Sequence, residues 1–102
     1  MRKIINGKMY DTNTAKVIGT WSNSYKYGDF NYCEETLYKK KTGEYFLYGE
    51  GGALSKYAKS CGNNDTCGGS EFIPLSKNEA KKWMECNTSA EKYIAEFGEV
   101  EE

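Results

Sequence analysis

The chain has 102 residues, a formal net charge of −1 and 15% aromatic residues, with nine Tyr. That length suits one domain with a single modest core, and near-neutral charge gives no global reason to bind nucleic acid or an anionic membrane. There is no His, which excludes Ser–His and Cys–His nucleophile pairs, and no apolar run approaches the ~18 residues of a membrane span.

"MRKIINGKMY" begins with basic residues but leads into no apolar segment, so it is not a secretory signal. With Met1 in place, the sequence reads as a complete cytoplasmic chain. Strands are expected near Lys3–Ile5, Lys8–Tyr10, Lys16–Trp21, Cys33–Lys39 and Glu44–Tyr48. "MYDTNTAKVI" and "LYKKKTGEYF" share a faint pattern of Tyr, polar residues, Thr, then strand formers. Each reads as a β-hairpin, the second more clearly because Gly43 suits the turn. Two such hairpins imply an antiparallel meander.

Ser22–Tyr32, "SNSYKYGDFNY", is rich in Ser, Asn and Gly yet carries Tyr25, Tyr27, Phe30 and Tyr32. Loops with that many aromatics are tucked onto the core or used for contact. Gly49–Glu71 has six glycines in 23 residues and one short helix-compatible patch, Ala53–Lys59. It reads as a long irregular loop, which in a small domain is either functional or mobile. Its "GEGG" lacks the Lys-Ser/Thr of a P-loop and the spacing of a dinucleotide loop, so the glycines serve backbone geometry instead of phosphate binding.

Cys33, Cys61, Cys67 and Cys86 are separated by 27, 5 and 18 residues, which matches no paired metal knuckle. Free thiols are the favoured reading in a reducing compartment; a Cys61–Cys67 disulfide under oxidation and a loose metal site stand behind it. No metal and no cofactor are expected.

Phe72–Leu75 is a short strand in which Pro74 favours a sheet edge. Ser76 and Glu79 form a capping box for a helix bearing Ala80, Trp83 and Met84 on one face. Thr88-Ser89-Ala90-Glu91 repeats the capping signal ahead of a second helix, with Ala90, Tyr93, Ile94 and Phe97 aligned and Gly98 at its end. The expected fold is α+β: one domain, residues 1–102, in which a mainly antiparallel sheet of four to five strands with two hairpins packs against two C-terminal helices. Trp83, Met84, Tyr93, Ile94 and Phe97 should be buried with Trp21, Leu37, Phe46 and Ile73.

Candidate chemistry is sparse. Glu34 and Glu35 are neighbours in a strand and so point to opposite faces, though Glu44 or Glu50 could approach Glu34 across strands. No catalytic residue is assigned. Lys39, Lys40 and Lys41 crowd the tip of the second hairpin beside Tyr38, Tyr45 and Tyr48. Such a hairpin either serves solubility or touches phosphates and stacks on bases. From Ala90 on, Lys92 stands alone against Glu91, Glu96, Glu99, Glu101 and Glu102, an acidic end that could face a basic partner.

The strings "NYCEETLYKKKTGEYFLYGEGGALSKYA", "FIPLSKNEAKKWMEC" and "SAEKYIAEFGEVEE" resemble a family of accessory proteins of about 100 residues carried by plasmids, phages and conjugative elements of Gram-positive bacteria. The resemblance implies a small protein without enzymatic activity that inhibits host defence, as anti-CRISPR proteins do by blocking a Cas effector. Its contact residues would be Tyr25, Tyr27 and Phe30, the tip Lys39, Lys40 and Lys41, and the tail Glu99, Glu101 and Glu102. The alternative is a small nucleic-acid-binding accessory protein using the lysine hairpin. An enzyme is the third and least supported class.

Overall fold

Asn6 and Gly7 both take positive φ, 50° and 79°. They turn the chain back between β1 (Arg2–Ile5) and β2 (Lys8–Asp11), the Asn-Gly chemistry of a tight hairpin. The computed structural model describes residues 1–101. β1 and β2 form a separate two-stranded sheet. The hairpin expected across Met9–Ile18 therefore does not form, because β2 is already paired with β1 and the strand after it pairs elsewhere.

The main sheet contains β3 (Lys16–Ser22), β4 (Cys33–Lys39), β5 (Tyr45–Gly51) and a last strand, Gly69–Leu75. Between β5 and that strand the chain makes a second small hairpin, β6 (Lys59–Gly62) with β7 (Asp65–Cys67), so the last strand is β8. The order is β3-β4-β5-β8, with every pair antiparallel. β8 is an edge strand, which accommodates the missing amide of Pro74. Gly49–Glu71 is thus not one irregular loop: β5 extends to Gly51, β8 begins at Gly69, and a hairpin lies between. Ala53–Lys59 forms turns and the start of β6, and no helix.

α1 (Lys77–Asn87) starts at Ser76 with both halves of the capping box made. α2 (Ala90–Phe97) is capped by Ser89 and ends at Gly98, whose φ is 90°. Both helices pack on one face of the sheet, around Leu37, Tyr45, Leu47, Ala80 and Met84. The fold is accordingly α+β, a four-stranded antiparallel sheet against two C-terminal helices as expected, and two separate small hairpins bring the described residues to eight strands. Leu37, Phe46 and Met84 are fully buried, whereas Trp21, Ile73, Trp83, Tyr93, Ile94 and Phe97 each keep part of their surface. Two short helices on a four-stranded sheet leave their outer aromatics half-covered.

Strand alternation sends Tyr38, Phe46, Tyr48 and Phe72 to the other face. There Phe46 stacks with Tyr38 at 5.1 Å and Phe72 at 5.9 Å, and Tyr48 meets Phe72 edge-on at 5.0 Å. Tyr10 of β2 caps Phe46 at 5.4 Å, which makes Phe46 a second, smaller buried centre. No helix among the described residues is long and apolar enough to cross a membrane.

Candidate contact surface

The loop from Asn23 to Tyr32 is closed at its neck by one side chain. The Asn23 amide oxygen accepts from the backbone N–H groups of Tyr25 (3.3 Å) and Cys33 (3.2 Å), while its Nδ2 donates to the Asn31 carbonyl at 2.6 Å. Asp29 accepts from the Asn31 N–H at 2.8 Å. The far side of the loop is pinned by Gly52, which donates to the Tyr32 carbonyl, and by Leu54, which donates to that of Phe30, both at 2.8 Å.

On this fixed backbone the apolar side chains face outward. Tyr25 is 50% exposed, Tyr27 83%, Phe30 68% and the adjoining Leu54 68%. Beside them lies a depression of about 350 Å³ lined in part by Tyr27, Phe30, Tyr32, Gly52, Thr66 and Gly68. Aromatic side chains on a hydrogen-bonded backbone beside a concavity suit protein recognition, because little backbone has to be ordered on binding.

The support beneath is a buried carboxylate. Glu35 is 3% exposed and accepts from Trp83 Nε1 (3.1 Å), Lys56 Nζ (2.7 Å) and the Tyr57 hydroxyl. Burial pushes its carboxyl up, but the hydrogen bonds from Lys56, Tyr57 and Trp83 together outweigh that and hold it below the usual carboxylate range. The network ties β4 to α1 and to the segment that carries Leu54.

Glu34, on the opposite face, stands directly across from Glu50 in the ladder. The Tyr32 hydroxyl bridges the two at 3.1 and 3.3 Å. Burial, and then the hydrogen bonds and charges of these carboxylates, push the Tyr32 hydroxyl up, so it stays protonated. The Tyr27 ring meets Tyr32 edge-on at 5.5 Å, which joins the loop surface to this face of the sheet.

The lysine tip is elsewhere. Seven-residue β4 separates it from the loop, about 20 Å at strand rise. Lys39 pairs with Glu96 at 3.0 Å, and Lys40 lies 4.0 Å over the Tyr10 ring and 3.4 Å from Glu44. Glu44 also holds Lys8 at 2.8 Å, and hydrogen bonds from Lys8 and Thr42 help bring its carboxyl down to about 2. Lys41 is exposed and makes no ion pair among the described residues.

The tail occupies a third location. Glu99 is exposed, Val100 and Glu101 border a groove of about 450 Å³ with Met84, Tyr93 and Ile94, and Glu102 lies outside the described residues. The structure thus sets Tyr27 and Phe30 around one depression, with Tyr25 exposed on the same loop, and leaves the lysines and the tail apart. Sequence reasoning overlooked Leu54 and Asn23. Of the two carboxylates it allowed opposite Glu34, the register selects Glu50: the Thr42-Gly43 turn sets Lys39 against Tyr45, and stepping outward brings Glu34 to Glu50 and leaves Glu44 beyond the other end of the ladder.

Cys61 and Cys67 form a disulfide across β6 and β7, with α-carbons 5.8 Å apart, which corrects the expectation of free thiols at those positions. Cys33 and Cys86 are free, and burial pushes the Cys33 thiol up. Among the described residues no group of three or more Cys, Asp or Glu is placed to hold a metal ion. No family model, curated protein or solved structure matches the chain significantly.

Proposed function

We propose that this chain is a non-enzymatic protein-binding module whose contact surface is centred on Tyr25, Tyr27, Phe30 and Leu54. The observation that carries it is the exposure of four large apolar side chains on a backbone fixed by hydrogen bonds at both ends of the loop. Isolated exposed apolar residues are ordinary, whereas a cluster on an ordered scaffold marks an interaction site. The buried carboxylate Glu35 is fully engaged in holding the scaffold, and the chain offers no His for nucleophile activation.

The finer reading is an inhibitor from a mobile genetic element, acting in the cytoplasm on a bacterial defence protein such as a Cas effector. It rests on the resemblance of the sequence to accessory proteins of such elements. The nucleic-acid reading draws less support, because two of its three lysines are already matched with Glu96 and Glu44.

A titration against a Cas nuclease effector in a cleavage assay tests the finer reading. Inhibition should saturate at a fixed molar ratio and weaken in Tyr27→Ala and Phe30→Ala. Complete inactivation at strongly substoichiometric amounts would point to an enzyme. Absence of inhibition together with salt-sensitive binding to DNA or RNA would favour the lysine hairpin.

A further inference from the structure

The face of the main sheet opposite the helices is finished at its two ends and open between them. Tyr10 closes it over Phe46 at one end, and Tyr32 bridges Glu34 and Glu50 at the other. Between these points Tyr38, Tyr48 and Phe72 remain partly exposed. Like charges directly opposed in a ladder weaken a sheet, so the Glu34–Glu50 pair is a local cost. One tyrosine proton serves two carboxylates, and neither carboxylate forms an ion pair among the described residues. By contrast Glu35, Glu44 and Glu96 each hold a lysine.

Two unneutralised carboxylates one rung from aromatic rings are complementary to a guanidinium. The carboxylates accept its fork of N–H donors, and the rings accept the planar cation or its aliphatic stem. Phosphate is repelled by the same charges, and an open sheet face encloses no small molecule. The geometry points to an arginine-bearing segment of a partner protein lying across this face, its guanidinium on Glu34 and Glu50 and its neighbours along Tyr48 and Phe72. This rests on the protein-binding reading, because the Tyr27–Tyr32 contact makes the loop surface and the sheet face continuous. It adds the partner's chemistry: a basic surface, engaged by arginine.

The test titrates isotope-labelled full-length protein with a capped peptide of alternating arginine and glycine, and with its lysine and glutamate counterparts, by NMR. Amide shifts should concentrate at Glu34, Thr36, Tyr48, Glu50 and Phe72. The lysine peptide should bind more weakly and the glutamate peptide should not bind. Glu34→Gln/Glu50→Gln, which preserves side-chain shape, should bind the arginine peptide roughly tenfold more weakly or worse and should melt no lower than the parent chain. Equal binding by the double variant, shifts confined to other surfaces, or no binding would overturn the proposal. So would an oligonucleotide, or a second copy of this chain, occupying the same residues. The loop reading is scored separately. A protein partner lost in Tyr27→Ala yet retained by Glu34→Gln/Glu50→Gln would sink the arginine site and leave the loop interface standing.

Discussion

The ring of Tyr57 fills the space in which a side chain on Gly49 would begin; a β-carbon there would sit 2.0 Å from Tyr57 Cζ. The same tyrosine donates to the buried Glu35 carboxylate. The glycine after the Tyr45–Tyr48 run is therefore a seat for a neighbouring segment and has no phosphate to cradle. Gly52 repeats the theme, since a β-carbon on it would meet the Asp29 carbonyl oxygen at 2.3 Å.

Gly49→Ala should displace Tyr57 and break its bond to Glu35, costing about 2–4 kcal/mol by denaturant unfolding. Gly62→Ala is the control, because its β-carbon would approach nothing closer than 3.8 Å. Its cost should stay within about 0.5 kcal/mol. Equal costs for the two would remove Tyr57 packing as the reason for Gly49.

Stability should fall in acid through Glu35. Its folded carboxyl is held below the ordinary value of 4.5, so its contribution is complete above that value. It is lost as pH drops further, through the folded value, and protonation unmakes the acceptor for Lys56, Tyr57 and Trp83. Unfolding midpoints measured from pH 7 to pH 3 should decline for the parent chain and decline less for Glu35→Gln. Glu44, held at about 2 by Lys8 and Thr42, adds acid dependence of the same sign between 4.5 and about 2.

Thiol counting should separate the cysteines. In the native oxidised protein Cys86 should react with an alkylating reagent while buried Cys33 does not. Cys61→Ser/Cys67→Ser should cost about 2 kcal/mol or less, since the ring it opens is short. Two rapidly reacting thiols in the native chain would place Cys33 at the surface.

The parts of the fold that were legible were those with strong local chemistry. β4 was bounded correctly because Thr42-Gly43 fixes the turn after it, and both helix starts carried capping sequences, Ser76 to Glu79 and Thr88 to Glu91, the second cap falling one residue later at Ser89 because Thr88 ends α1. Asn6-Gly7 carried an equally direct hairpin signal that the Met9–Ile18 pattern obscured. The β6–β7 hairpin had no apolar alternation to reveal it, because every residue in it except Cys67 is exposed. At the site, Tyr25, Tyr27 and Phe30 stood out as aromatics in a polar loop. The engagement of Lys39 by Glu96 depends on how α2 docks, and no spacing along the chain encodes it.

Binding and folding should separate cleanly at the loop. Tyr27→Ala and Phe30→Ala remove mostly solvent-exposed atoms, so each should change stability by no more than about 0.5 kcal/mol. As interface anchors they should each weaken partner binding by roughly tenfold or more. Truncation after Gly98 should matter less, because the tail lies apart from the loop aromatics and exposed charges act mainly on association rate.

The most direct measurement is quantitative capture from nuclease-treated bacterial lysate, comparing the parent chain with Tyr27→Ala/Phe30→Ala at matched, verified stability. The expected result is one protein retained at a fixed molar ratio by the parent and lost by the double variant. Retention that is unchanged in the double variant, or that disappears with nuclease treatment alone, would contradict a protein-binding surface built on this loop.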